Sequence, residues 1–454
     1  MPTYVSNMIK RYNEQNPARF HMPGHKATGC ANAAMDITEI AFTDDLYHPQ
    51  SVLLNAQAQL AQACGAAASF FLVGGSTAGI QAMLLASGAK KVIVSRDAHR
   101  AAVNACGLFG IDPVWAAGRW NAEENIAESP EEVLLRKMEE YPEVPVLVTA
   151  PDYYGRQLAV ERIKEQARGA LILADAAHGA HLYASPRFPA PAARWADYAV
   201  ESPHKTLNAL TQAAWIHAGS LPLAEKLAPW LPMVQTSSPS FLLMASLDTA
   251  REELENGRVA WERLWERCQV FAHRVAAMGF RVWTDHDVKR MGYRAQDATR
   301  LVVDVRAAGI SGFGAVEALS NQGVETEMAD GYRVVGIATP WNREEDFLRF
   351  EAGLRSLAEA SAGKEYRAVY GALPVWHQVM PVPAAVRAPR RRVLLQKAVD
   401  KVAAVSFGAY PPGIPLAMPG EAISHEIIEH MAHVESLGGH FFGVENGMVW
   451  VVDE

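Results

Sequence analysis

SFFLVGGSTAGIQAMLLASGAKKVIVS, residues 69–95, decides the fold. SFFLV (69–73) is an apolar run of strand length. Gly74 and Gly75 then let the backbone turn tightly. A helical pattern opens behind them and closes before KVIVS (91–95), a second strand-like run. Strand, turn, helix, strand is the unit from which parallel sheets are built. Five more runs alternate with helical patterns: PVWAA (113–117), VPVLVTA (144–150), ALILAD (170–175), DYAVES (197–202) and AAWIHA (213–218). Together they predict an α/β fold whose seven-stranded sheet is mainly parallel and covered on both faces. In such sheets ligands sit beyond the carboxyl ends of the strands.

Outward from this unit, residues 52–64 read as a helix, with Val52, Leu53, Ala56, Leu60 and Ala63 at helical spacing. Residues 1–51 lack sustained periodicity and read as an extended arm. We therefore expect an arm (1–51), a large domain (52–238), a linking helix with a smaller α/β domain (239–370) and a C-terminal α+β domain (371–454). The linking helix is expected as one stretch over 239–279. The smaller domain carries RLVVDV (300–305), a helix near 312–321 and YRVVGIAT (332–339). A Pro-rich stretch precedes the last unit, and its Arg387, Arg390, Arg391 and Arg392 read as a solvated linker edge.

Composition narrows the function classes. The chain has 454 residues, half of them apolar and a fifth charged, with net charge −8. No global basic field points to a nucleic acid. No run of about 18 apolar residues points to a membrane span, and the N-terminus has no apolar signal core. Four scattered cysteines without CxxC spacing fit a reducing cytoplasm better than a disulfide or zinc framework.

Four places could carry chemistry. GGSTAG (74–79) opens a helix with hydroxyls and free amides, which suits a phosphate or a plain helix cap. Asp175 ends a strand in LILADAAHGAH (171–181). It could face a protonated ring nitrogen of a pyridine cofactor, start a loop, or bind a metal with His178 and His181. Lys205, in ESPHKTLNALTQAAW (201–215), follows another strand; a lysine that holds a carbonyl group needs a site that lowers its pKa. His99 follows KVIVS, where an imidazole could stack on a flat ring or stand in solvent. Hydroxyl loop, strand-end aspartate and lysine, in that order, suit the phosphate, ring nitrogen and aldehyde carbon of pyridoxal phosphate.

These residues resemble the ornithine/lysine/arginine decarboxylases, pyridoxal-phosphate enzymes of the aspartate-aminotransferase-like fold (fold type I). VESPHKTLNALTQAA looks like the family's lysine-attachment signature, and GGSTAG, RDAH and DAAHGAH look like its cofactor motifs in its order. FHMPGHK (20–26) and DITEI…DDLYHP (36–49) look like the start of its short members. YPPGIPLAMPGE (410–421), with VLLQKAVDKVAAVSF before it read as helix then strand, looks like its C-terminal-domain motif. The resemblance implies α-decarboxylation of arginine, lysine or ornithine to agmatine, cadaverine or putrescine, within polyamine biosynthesis. It implies that Lys205 holds the cofactor's aldehyde carbon, that Asp175 pairs with the ring nitrogen and that His99 stacks on the ring. Ser76, Thr77, Ala78, Ser202 and His204 would hold the phosphate, and His178 would sit near the reacting carbon. Thr236 and Ser237 would reach the phosphate across a homodimer interface. Glu421 would lie near the distal end of the substrate, and Asp44 and Asp45 are further acidic candidates for the substrate's cation. The chain starts almost at FHMPGHK, so the short form without a response-regulator-like domain is expected. Pro203 and Ala176-Ala177 depart from the family pattern without removing a reacting group.

Other classes are weighed on their residues. An aminotransferase or other lyase would hold the substrate carboxylate with an arginine, for which Arg333 is a candidate. A cofactor-free regulator conflicts with intact Lys205 and Asp175. HEIIEHMAH (425–433) places His425 and His430 five apart, on different helix faces, and fails the zinc-peptidase pattern. It reads as an amphipathic surface helix.

Overall fold

The structure is a computed structural model; it describes residues 3–29, 31–124, 126–360, 366, 374–410 and 415–453. Its main sheet has the seven expected strands: β1 (Ala68–Leu72), β2 (Lys91–Ser95), β3 (Asp112–Ala116), β4 (Val146–Thr149), β5 (Ile172–Asp175), β6 (Tyr198–Glu201) and β7 (Ala214–Ala218). Their order is β1-β7-β6-β5-β4-β2-β3. Only β7 runs against the rest, pairing antiparallel with β1 and β6. Every residue of β5, β6 and β7 is buried, as continuous apolar runs require in a sheet covered on both faces.

Helices α1 (Tyr4–Glu14), α2 (Val52–Cys64), α3 (Gly75–Ser87) and α4 (Arg100–Phe109) flank this sheet. Gly75 takes φ +71°, which turns β1 into α3. Gly79 lets α3 lie against β6, because a Cβ there would stand 2.4 Å from Val200 Cγ2. The first helix differs from the extended arm expected there. Val5, Met8, Ile9 and Tyr12 form a buried stripe at i, i+3, i+4 and i+7, packed in the same core as α2. Residues 16–50 carry no helix or strand among those described.

The expected single helix over 239–279 is two, α5 (Phe241–Asn256) and α6 (Arg258–Ala277), divided at Gly257. The smaller domain's sheet, β8 (Arg281–Val282), β9 (Arg300–Asp304), β10 (Met328–Ala329) and β11 (Arg333–Ile337), has order β8-β9-β11-β10 and is antiparallel throughout. Helices α7 (Gly312–Ser320) and α8 (Glu344–Ala360) pack with it.

The Pro-rich stretch docks rather than links. Its helix α9 (Val382–Arg387) places Val382 and Val386 in the core beside α4. Arg390, Arg391 and Arg392 lie on strand β12 (Arg390–Leu394), which pairs with β16 (Met448–Val452); Arg390 and Arg392 lie over Trp450. The expected helix in VLLQKAVDKVAAVSF is a short 3-10 turn at Leu395–Lys397 after that strand. Strands β13 (Phe407–Tyr410), β14 (Pro415–Ala417) and β15 (His440–Phe442) follow, with α10 (His425–Ser436) burying Ile427, Met431 and Val434. Residues 411–414 of the YPPGIPLAMPGE motif lie outside the described residues.

Candidate active site

The carboxyl ends of β2, β4 and β5, the loop after β6 and the first turn of α3 converge on one cavity of about 220 Å³. The smaller and C-terminal domains close its far side with Phe313, Asp330, Trp376, Leu416 and His430. Five expected residues line it together: Ser76, His99, Asp175, His178 and Lys205.

Lys205 sits in a short 3-10 turn behind β6, begun by Pro203, with Ser202 buried before it. Its Nζ is 3.1 Å from His178 Nε2. Burial lowers the lysine's pKa; the Asp175 carboxylate opposes this, and the Arg300 cation adds to it. His178 lies well below the usual histidine range, because it is buried and because Lys205 and Arg300 stand beside it. The Tyr153 ring leans on its imidazole at 4.6 Å between centroids. Asp175 is buried; one carboxylate oxygen accepts the Ala177 amide, and the side chain faces the cavity. His99 caps α4 by accepting the Ala101 amide at Nδ1, and burial against the site lowers its pKa despite Asp175.

The N-cap of α3 is Gly74, which has no side chain to cap the helix, and the first N–H groups of a helix have no partner within it. Thr77 is exposed there and Ala78 buried. Ser202 Oγ is buried with no hydrogen-bond partner among the described residues. His204 Nδ1 donates to the Ala213 carbonyl, and burial lowers its pKa. Gln235 accepts the Val73 and Gly74 amides, which ties the glycine turn to the segment carrying Thr236 and Ser237. Those two residues are exposed and do not line this chain's cavity.

The acidic candidates are placed elsewhere. Asp44 accepts the amides of Gln50, Ser51 and Leu53 at the start of α2; these bonds outweigh burial and hold its carboxyl below the usual range. Asp45 accepts the Tyr47 and His48 amides. Neither lines the cavity. Glu421 is buried behind Arg96, accepting its Nη2 at 2.7 Å and the Met418 amide at 2.8 Å. Arg96 itself faces the cavity, stacked over Trp376 and Trp115. Arg333 is fully buried and bound to Asp330 and Glu124.

The two histidines of DAAHGAH turn to separate partners. His178 meets Lys205 and Arg300, while His181 Nε2 lies 3.1 Å from Asp297. A different trio, Cys64, Glu201 and His217, brings ligand-type atoms together inside the core. His217 is taken up by Ser69 and Glu201, and Tyr183 donates to Glu201. In HEIIEHMAH, the apolar residues face inward as expected, but His430 reaches the cavity wall, where burial lowers its pKa to about 4.

A site with open amides and hydroxyls at one end, a buried carboxylate, a lysine of lowered pKa and a flat imidazole suits a phosphorylated pyridine aldehyde. Tyr153, Arg300 and Trp376 were not foreseen. The last two come from other domains, and no local pattern announces them.

The family model described as "Orn/Lys/Arg decarboxylase, major domain" matches residues 2–297, and "Orn/Lys/Arg decarboxylase, C-terminal domain" matches residues 376–452. The arginine decarboxylase of Bacillus subtilis is 28% identical over 95% of this chain and 92% of its own length. That of Halalkalibacterium halodurans is 27% identical over 93% and 91%. Among solved structures, the constitutive lysine decarboxylase of E. coli superposes with a TM-score of 0.85 at 17% identity, covering 100% of this chain and 82% of that one. This last likeness speaks for the fold.

Proposed function

The chain belongs to the Orn/Lys/Arg decarboxylase family, and from that premise we propose that its substrate is arginine and its product agmatine. The protein is a pyridoxal-phosphate-dependent decarboxylase of a basic amino acid, releasing carbon dioxide and the corresponding amine. When bound, the cofactor supplies the electron sink for the pair freed as the Cα–carboxylate bond breaks. Lys205 would hold the cofactor's aldehyde carbon, Asp175 would keep its ring nitrogen protonated, and His99 would stack on the ring. The amide end of α3, with Ser76, Thr77, Ala78, Ser202 and His204, takes the phosphate. The orphaned Ser202 hydroxyl supports that assignment.

One observation favours arginine. The indoles of Trp120 and Trp376 line the cavity. A planar guanidinium stacks on indole better than a compact ammonium does. Full-length relatives named arginine decarboxylase support the same reading. The test is a panel of arginine, lysine and ornithine with the amine product identified. Arginine should have the highest kcat/KM, and Trp376→Leu should raise its KM about tenfold with kcat little changed. A higher kcat/KM for lysine or ornithine would overturn the assignment.

We further propose a homodimer in which the exposed Thr236–Ser237 segment serves the neighbouring phosphate site, and a cytoplasmic setting, which the buried free thiols of Cys64, Cys106 and Cys268 support. Mixing Lys205→Ala subunits with Thr236→Ala/Ser237→Ala subunits should restore activity above either parent. No recovery in a mixed dimer would refute the shared site.

A further inference from the structure

Arg300 is fully buried behind His178. Its Nη2 lies 3.1 Å from His178 Nδ1 and 3.3 Å from the His178 carbonyl oxygen. A guanidinium has donors only and keeps its proton at any working pH. Facing it, Nδ1 must present its lone pair. The ring's single proton then sits on Nε2, the atom that meets Lys205 Nζ. We infer that Arg300 is a positioning residue that locks His178 as its neutral Nε2–H tautomer, a hydrogen-bond donor to the Lys205 amine whenever that amine is free and neutral.

The arrangement around the ring supports this. Arg300 starts β9, and its stem lies so close to Gly155 that a Cβ there would stand 2.5 Å from Arg300 Cγ. Asp297 lies 3.9 Å from Arg300 Nη1 and balances its charge. Tyr153 covers the imidazole, which hinders a ring flip that would exchange the two nitrogens. A proton on Nδ1 would set two donors against each other in a buried site, leaving Arg300 Nη2 only the longer bond to the His178 carbonyl. The charged groups around His178 act the same way. Lys205, Arg300, His99 and His204 all oppose an imidazolium. Asp175 and Glu327 act on Lys205, and Asp297 and Glu327 on Arg300. His178 therefore orients the lysine and is not a reservoir that gains and loses a proton at Nδ1.

The inference rests on the reading of Lys205 as the cofactor lysine, but the tautomer is readable without turnover. Full-length protein carrying ¹³C,¹⁵N-histidine would be examined by magic-angle-spinning NMR, with His178 assigned by its loss in His178→Asn. Its ring-carbon shifts should report the Nε2–H form and stay constant from about pH 6 to 8.5. Arg300→Met should bring in the Nδ1–H form or a titration inside that range, and Arg300→Lys, which keeps a donor, should hold the original form. An Nδ1–H signal, or a titrating His178, in the wild-type protein would sink the inference. So would an unchanged spectrum in a folded Arg300→Met. If Arg300→Met fails to fold, the wild-type spectrum and Arg300→Lys still decide. Loss of decarboxylase activity with the tautomer intact would instead count against the functional reading.

Discussion

Asp297 is completely buried, accepts the Thr299 amide and hydroxyl, and stands 3.1 Å from His181 Nε2. Burial pushes its carboxyl up, but His181 and Arg300 prevail and bring it down to about 2 from 3.8. A carboxyl with a depressed folded pKa stabilises the fold above its unfolded value and loses that contribution as pH falls through the folded one. The shift corresponds to about 2 kcal/mol, present above about pH 4 and gone near pH 2. Asp297→Asn should therefore lower stability at neutral pH and flatten its dependence between those limits, as urea titrations at stepped pH would show. At the reacting end, Lys205→Ala should cut carbon dioxide release at least about 10³-fold and abolish the protein's cofactor colour. These two residues also mark what sequence could reveal. Lys205, Asp175, His99 and His178 were legible because each ends or closely follows a strand-like run, where a mainly parallel sheet places its ligands. Asp297 and Arg300 were not, because they meet the site only when the smaller domain folds against the large one. Asp44 looked like a substrate ligand by charge alone, and its backbone partners are invisible until the turn before α2 is seen.

At the level of elements, α3 must lie close to the sheet if its amide end is to face the cavity. Gly79 permits this, since a Cβ would meet Val200 Cγ2 at 2.4 Å and Leu72 Cδ1 at 2.8 Å. Gly79→Ala should overpack the contact and cost about 1–3 kcal/mol. It should also weaken cofactor retention on dialysis, while Ser87→Ala at the other end of the helix should not. Periodicity identified α2 and the seven strands because apolar spacing alone specifies them. It missed α1, whose stripe of Val5, Met8, Ile9 and Tyr12 is interrupted by polar residues throughout. It also ran α5 into α6, because Gly257 is a single residue in a long helical pattern.

For the whole molecule, the buried Arg96–Glu421 pair joins the large domain to the C-terminal one. Removing one partner of such a pair leaves a bare charge, and Glu421→Ala should cost about 3–5 kcal/mol. Limited proteolysis should then release the C-terminal unit first. Replacing both partners, Arg96→Met with Glu421→Met, should recover most of that loss; no recovery would show that packing rather than charge was at stake. The strand order carries a consequence of another kind. β1 borders only β7, so its pairing joins residues 68–72 to residues 214–218 across nearly the whole large domain. Such distant pairings form late and slowly. During synthesis the glycine turn and α3 emerge early, yet their anchoring strand has no strand to pair with until residue 218 has left the ribosome. Nascent chains stopped before Ala214 should keep a protease-sensitive N-terminal edge, and those extended past Ala218 should lose it. The cofactor's landing place is thus among the first parts to be made and among the last to be secured.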